Sequence, residues 1–314
     1  MTPPAFIRLA RIALIVTVGV ILWGAVVRAT GSGAGCGSHW PLCNGVVMPL
    51  EPGIKTVIEF VHRLTSGAAM LLSLWLVFAS RRAFPAGHRV RTWAMAGFGL
   101  MLVEAALGAG LVLFGLVENN QSAARAAYIA LHLGNTMLLT GVMTGTLWWA
   151  SQPAGTQPPA RSRGLAFSMV LIVIVAAIGG AVALGNTLFP SGSIGEGLAA
   201  DLDPTSHFLI RLRVFHPALA VAAGLILIAQ ARRDPTFRGP EGESLRTMLI
   251  TLVLLQAGIG ALNFLLLAPL TLQLTHLLGS NLLWIALVWS YLTGYGLNRG
   301  NGGRAGGNGA EVQS

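Results

Sequence analysis

Residues 165–185 read LAFSMVLIVIVAAIGGAVALG, twenty-one positions without one charged side chain. An α-helix of that length rises about 30 Å, the thickness of the hydrocarbon core of a bilayer. Seven further stretches, 10–28, 56–79, 92–115, 125–149, 207–229, 246–267 and 270–296, are comparably apolar. The whole chain agrees with them: of 314 residues, 54% are hydrophobic and 10% charged, where a soluble domain carries roughly 25% charged residues. So few polar groups cannot coat a water-facing surface. A soluble enzyme, a disordered chain and a disulfide-rich mini-protein are excluded. The expected fold class is all-α, a polytopic membrane protein of eight transmembrane helices. The first stretch is read as a retained anchor, since no small-residue cleavage pattern follows it.

The net charge of +9 invites a nucleic-acid reading. Nineteen of the twenty basic residues are Arg, however, and most sit at the ends of the apolar stretches. No basic stripe with interleaved aromatics is present, so nucleic acid is excluded as a partner and the arginines are read as topology signals. Arg8, Arg11, Arg81, Arg82, Arg89, Arg91, Arg161, Arg163, Arg232, Arg233, Arg238, Arg246, Arg299 and Arg304 fall on one side, fourteen in all. Arg28, Lys55, Arg63, Arg125, Arg211 and Arg213 fall on the other, only six. Cytoplasmic loops are the basic ones. A multi-pass protein of the cell membrane with both termini in the cytoplasm is expected.

The Pro-rich segment SQPAGTQPPARSR, 151–163, reads as a linker. The two sides of it resemble each other. Trp23-Gly24-Ala25-Val26 is echoed by Gly179-Gly180-Ala181-Val182, and Glu104-Ala105-Ala106-Leu107-Gly108 by Gln256-Ala257-Gly258-Ile259-Gly260. His62 is echoed by His216, and His132 by His276. Offsets of 156, 152, 154 and 144 residues amount to one period with small loop differences, the mark of an internal repeat. The expected organisation is a four-helix half at 1–150, the linker, a second four-helix half at 164–298 and a Gly-rich disordered tail at 299–314. The two halves are expected to be pseudo-repeated bundles.

His62, His132, His216 and His276 all lie in even-numbered spans, which enter the membrane from the outside. Each stands six to nine residues into its span, a depth of roughly 9–14 Å. A lone intramembrane histidine is read first as a hydrogen-bonded packing residue. Four at one depth, paired by a repeat, point instead to haem iron, which takes two axial imidazoles. The simplest pairing is His62 with His132 and His216 with His276, one haem site in each half. Asn135, Thr136, Gln273 and Ser280 are candidates to orient the rings. His39, His88 and His207 fall outside this pattern and are read as solvated or interfacial.

Arg63, Arg125, Arg211 and Arg213 at the outer helix ends are candidates to bind haem propionates, because a guanidinium fork matches a carboxylate; the competing reading is snorkelling to the interface. The halves differ at one place. The first has Glu59-Phe60-Val61-His62-Arg63, the second Arg213-Val214-Phe215-His216-Pro217. Glu59, three residues before His62, shares its helix face. An intramembrane carboxylate is a functional candidate by default, against which stands a salt bridge to Arg63 or Arg28. Glu104 reads as a buried hydrogen-bonding residue or a member of a proton path. Cys36 and Cys43 are the only cysteines, on the oxidising side with six residues between them, and read as a disulfide. Closing a loop, exchanging electrons with a thiol partner, or binding metal together with His39 are the roles left open for them.

These residues resemble the haem A synthase family across essentially all eight spans. The most specific pieces are Thr30-Gly31-Ser32-Gly33 with Gly35-Cys36, Trp40-Pro41-Leu42-Cys43-Asn44-Gly45, and Glu59-Phe60-Val61-His62-Arg63. The resemblance implies oxidation of the C8 methyl of haem O to a formyl group by successive hydroxylations. It implies haem O as the substrate between His62 and His132, with Glu59 catalytic, and a haem B cofactor on His216 and His276 that relays electrons. Cys36 and Cys43 match the outer-loop pair of the family, while the second pair of some bacterial members is missing from 186–206. The expected partners are haem O and membrane lipid. Delivery by a haem O synthase, homo-oligomer formation and the redox partner are left open. A two-haem cytochrome b carrying electrons explains the four histidines equally well but leaves Glu59 without a role; a transporter built on the repeat is a third alternative.

Overall fold

The computed structural model describes residues 1–153, 155–156 and 162–293. Most of the linker, including Arg161, and the tail with Arg299 and Arg304 lie outside them. The described residues form helices α1 (Pro3–Ala29), α2 (Ile54–Ala83), α3 (Arg89–Leu113), α4 (Ala123–Ala150), α5 (Arg163–Leu188), α6 (Ile194–Leu202), α7 (Phe208–Arg233), α8 (Gly239–Leu265) and α9 (Leu270–Thr293), with a 3₁₀ turn at Pro235–Phe237. All but α6 are long and apolar enough to cross a membrane, at 24–30 residues each. At 1.5 Å per residue that is about 36–45 Å, longer than the hydrocarbon core. The helix ends therefore project into the polar layers, where Arg81 and Arg82 occupy the last turn of α2 and Arg232 and Arg233 that of α7. The expectation of eight spans holds.

Helix starts follow from capping chemistry. Ser122 Oγ accepts from Arg125 N at 3.2 Å and Ser162 Oγ from Leu165 N at 3.2 Å, each satisfying an amide that the first turn leaves unpaired. Two of the histidines outside the membrane do the same work. His88 Nδ1 accepts from Val90 N and His207 Nδ1 from Leu209 N, both at 3.3 Å, at the starts of α3 and α7. Burial holds the His88 pKa below the usual imidazole value, which keeps that nitrogen free to accept. α6, in the outer loop 186–206, is an addition to the expected elements. Ser193 caps it, and Asp201 at its end lies 3.7 Å from Arg213 of α7.

In the first half α1 packs on α2, α2 on α3, α3 on α4 and α4 back on α1. In the second, α5, α7, α8 and α9 close the same ring. Each half is thus a four-helix bundle in which α2 and α4, or α7 and α9, stand on the diagonal. The bundles meet through α1 and α4 on one side and α5 and α9 on the other. The inner half of that seam is sealed. Trp284 Nε1 donates to Met137 O at 2.6 Å, and Gly141 makes room for the indole, since a Cβ there would lie 3.1 Å from it. Trp148 Nε1 donates to Thr293 Oγ1 at 3.0 Å. Asn281 and Leu287 have no exposed surface. The outer half differs: all four intramembrane histidines remain half-buried. Dense packing on the inner side and accessible imidazoles on the outer side place the site.

Candidate functional site

His62 and His132 stand on the diagonal helices α2 and α4, and His216 and His276 on α7 and α9. Each ring lies against a glycine of the preceding span. A Cβ on Gly24 would come within 3.1 Å of His62 Cε1, on Gly108 within 3.9 Å of His132 Cε1, on Gly179 within 2.8 Å of His216 Cε1 and on Gly260 within 3.0 Å of His276 Cε1. A Cβ would clash at Gly179 and crowd the ring at Gly24 and Gly260, while at Gly108 it would make ordinary contact. The glycine that His216 meets is Gly179, one residue before the Gly180 that the sequence echo sets against Gly24.

Across the second bundle the His216 and His276 ring centres are 6.4 Å apart with planes at 82°. Imidazole nitrogens bind first-row metals at about 2 Å, so one ion fits between the rings. Nδ1 of all four histidines is buried without a hydrogen-bond partner. With Nδ1 buried in the protein in each ring, Nε2 is the nitrogen left to a metal. The residues present fit haem iron.

The second ring of each pair has a polar neighbour on the preceding span. Glu104 Oε1 lies 3.2 Å from His132 Nδ1, close enough for an ion pair but misaligned for a hydrogen bond. The Glu104 carboxylate also accepts from Asn135 Nδ2 at 2.6 Å and from the Thr136 hydroxyl. In the second bundle Gln256 Nε2 donates to His276 O at 3.0 Å and lies 3.3 Å from the ring Nε2. Asn135 and Thr136 therefore reach His132 through Glu104. Ser280 turns back onto Leu277 O, and Gln273 serves Arg28.

Over the first bundle a latch holds the outer loop. Cys36 and Cys43 form a disulfide. Glu59, 3% exposed, accepts from Cys36 N at 2.8 Å through Oε2 and from Arg63 through Oε1. Arg63 also donates to His39 O and Leu42 O, both at 2.6 Å, inside the disulfide loop. Gly35 is required where the loop crosses the start of α2, because a Cβ there would lie 2.4 Å from Lys55 O. The salt bridge weighed for Glu59 thus exists, with Arg63, and it ties the carboxylate to the disulfide loop.

The other arginines are also engaged. Arg125, 5% exposed, donates to Glu118 O and Asn120 O. Arg213 donates to Ser191 Oγ, Gly185 O and Phe189 O and faces Asp201, whose pKa burial raises and Arg213 pulls back. Arg211 is exposed. Arg28, absent from the propionate candidates, crosses the seam between the bundles. It donates to Ala183 O at 2.7 Å, to the Thr187 hydroxyl and to Gln273 Oε1 at 2.8 Å. No local pattern marks it, since its partners lie 155–245 residues away.

Residues 7–288 match the family described as cytochrome oxidase assembly protein. A protein of Thermus thermophilus named protoheme IX farnesyltransferase is 42% identical over 316 residues, covering 96% of this chain and 50% of that relative. A heme A synthase of Alkalihalophilus pseudofirmus is 34% identical over 171 residues, 53% of this chain and 55% of the relative. One of Bacillus cereus is 37% identical over 119 residues, 38% of this chain and 36% of the relative. The chain spans about half the length, or less, of these relatives. With the match running from α1 into α9, through all four histidines and the Glu59 latch, this chain belongs to the family of cytochrome oxidase assembly proteins.

Proposed function

We propose that this chain is a haem A synthase, an oxidoreductase that converts the C8 methyl of haem O to a formyl group by successive hydroxylations. The observation that carries this reading is the pair of diagonal imidazole sites, each cradled by glycines, with a carboxylate and a disulfide loop built over one of them alone. Haem O is assigned to the first bundle, between His62 and His132. Haem B is assigned to His216 and His276, where it would supply one-electron redox chemistry. The two sites descend from one repeated four-helix unit, a reading supported by the matched helix order and the four glycine–histidine contacts.

In the first bundle the disulfide loop is tied to α2 one turn from His62, through Glu59 and Arg63. Glu59 is held in place by Cys36 N–H and Arg63. Oε1 already accepts two bonds from Arg63, but Oε2 accepts only from Cys36 N and keeps a free lone pair, so Glu59 can receive a proton there or stabilise positive charge that develops as the methyl is oxidised. Arg125, Arg211 and Arg213 lie at the outer edge, where propionates of a membrane-embedded haem emerge. The basic excess at the opposite helix ends supports cytoplasmic termini in the cell membrane.

The Thermus relative is twice as long and is named for farnesyl transfer to protoheme IX. Such a transfer needs carboxylates that hold Mg²⁺ against a diphosphate. Asp201, Asp203 and Asp234 lie outside the spans, and the carboxylates beside the histidines, Glu59 and Glu104, stand on different helices and are each held by protein donors. We assign the farnesyl transfer to the other half of that relative. The arrangement supports a hand-over in which an enzyme that makes farnesylated haem docks on this chain and delivers haem O.

Expressing the chain with a haem O supply, purifying it in detergent and identifying the extracted haems by chromatography and mass tests the reading. Haem A or hydroxylated haem O beside haem B supports it. Haem B alone, at two per chain, overturns it in favour of an electron-carrying cytochrome b.

A further inference from the structure

The two bundles place different charges beside their second histidine. Glu104 accepts from the Asn135 amide and the Thr136 hydroxyl and stands 3.2 Å from His132 Nδ1, within ion-pair reach of that ring. A donor-only environment of this kind is filled by an ionised carboxylate, which only accepts. The matching position in the second bundle holds Gln256, an amide that donates to the His276 main chain and rests beside its ring. Gln256 stands beside Nε2 of His276 rather than Nδ1, and that Nδ1 has no carboxylate against it.

A carboxylate on the far nitrogen of a ligating imidazole draws the N–H proton towards itself and makes the ring a stronger electron donor. A stronger axial donor stabilises ferric over ferrous iron and lowers the reduction potential. We propose that Glu104 is a positioning residue that strengthens His132 as a donor, so that iron in the first bundle sits at a more negative potential than iron in the second, where Gln256 leaves His276 untuned. This rests on His132 and His276 being haem ligands. The consequence is directional. An electron released in the first bundle passes downhill to the second, the direction a site that oxidises its own ligand requires. Asn135 has a supporting part: its Nδ2 also donates to Leu100 O at 3.0 Å, fixing α4 against α3 with the carboxylate between them.

The test uses single-site chains, loaded with haem B and titrated potentiometrically in detergent. His216→Ala leaves only the first bundle able to bind through two histidines, and His62→Ala only the second. In the first background Glu104→Gln should shift the midpoint potential positive and weaken haem binding by roughly 10-fold. In the second, Gln256→Glu should shift it negative. Unchanged midpoints in both pairs, with haem bound, overturn the proposal even though the haem sites stand. If neither background shows a Soret band, the ligand assignment itself falls. Should Glu104→Gln fail to fold, the Gln256→Glu pair decides alone: a negative shift supports the proposal and no shift overturns it.

Discussion

The outer end of the first bundle and that of the second solve the same problem with different chemistry. Both must hold a long outer loop over a pair of histidines, and both use an arginine. In the first, Arg63 is neutralised by the buried Glu59 and grips two carbonyls of a disulfide loop. In the second, Arg213 grips Gly185 O and Phe189 O and stands 3.7 Å from Asp201 on α6. The first latch places a carboxylate one helical turn from His62; the second places its carboxylate on the outer loop, away from His216. One scaffold thus carries two electrostatic environments.

Breaking the ligand pairs tests the comparison most severely. His62→Ala or His132→Ala should remove haem from the first bundle and leave that on His216 and His276, and the reverse substitutions the opposite; haem content per chain by extraction reads the result. Loss of both haems from any single change would dissolve the division into two sites. Glu59→Gln comes next. It keeps the size of the side chain and should cut haem O conversion by about 10²-fold or more with haem content unchanged, whereas full conversion would reduce Glu59 to a loop anchor.

A smaller effect separates the two latches. Arg63→Met strands Glu59, and an uncompensated buried carboxylate costs about 3–5 kcal/mol. Arg213→Met leaves Asp201, also buried, but 3.7 Å from the guanidinium and with a pKa that burial already raises, so protonation relieves it more readily and the change should cost less. Thermal unfolding in detergent gives the order, and equal losses would mean that the two carboxylates are equivalent. Smallest are the glycine cradles. Gly179→Ala puts a Cβ 2.8 Å from the His216 ring and Gly24→Ala one 3.1 Å from His62. Both should lower haem occupancy in their own bundle, Gly179→Ala the more, as judged by the Soret band of single-site chains.

Much of this was legible in the amino acids. Hydropathy marked the eight spans, because a bilayer demands length and apolarity that no neighbouring element can supply. The echo of His62 in His216 and of Glu104 in Gln256 singled out the positions that now line the bundle interiors. Where the reading fell short, its partners were distant. The echo set Gly24 against Gly180, and only the approach of the His216 ring shows Gly179 to be the glycine it meets. His88 and His207, read as solvated or interfacial, stand half-buried at helix starts, and only the structure shows their rings accepting the amides that open α3 and α7.

Composition and spacing alone therefore determined the class of the protein, its spans, its four intramembrane imidazoles and the carboxylate at Glu59, since each depends on one helix and its solvent. Tertiary structure decided that α2 faces α4 and α7 faces α9 across closed rings, and that Arg28 clamps one bundle to the other. It also decided that Glu59 belongs to the disulfide loop and Glu104 to His132. Those facts concern which polar groups find each other in a medium without water. That choice is made by the packing of helices, through partners up to 245 residues apart, and no local pattern encodes it.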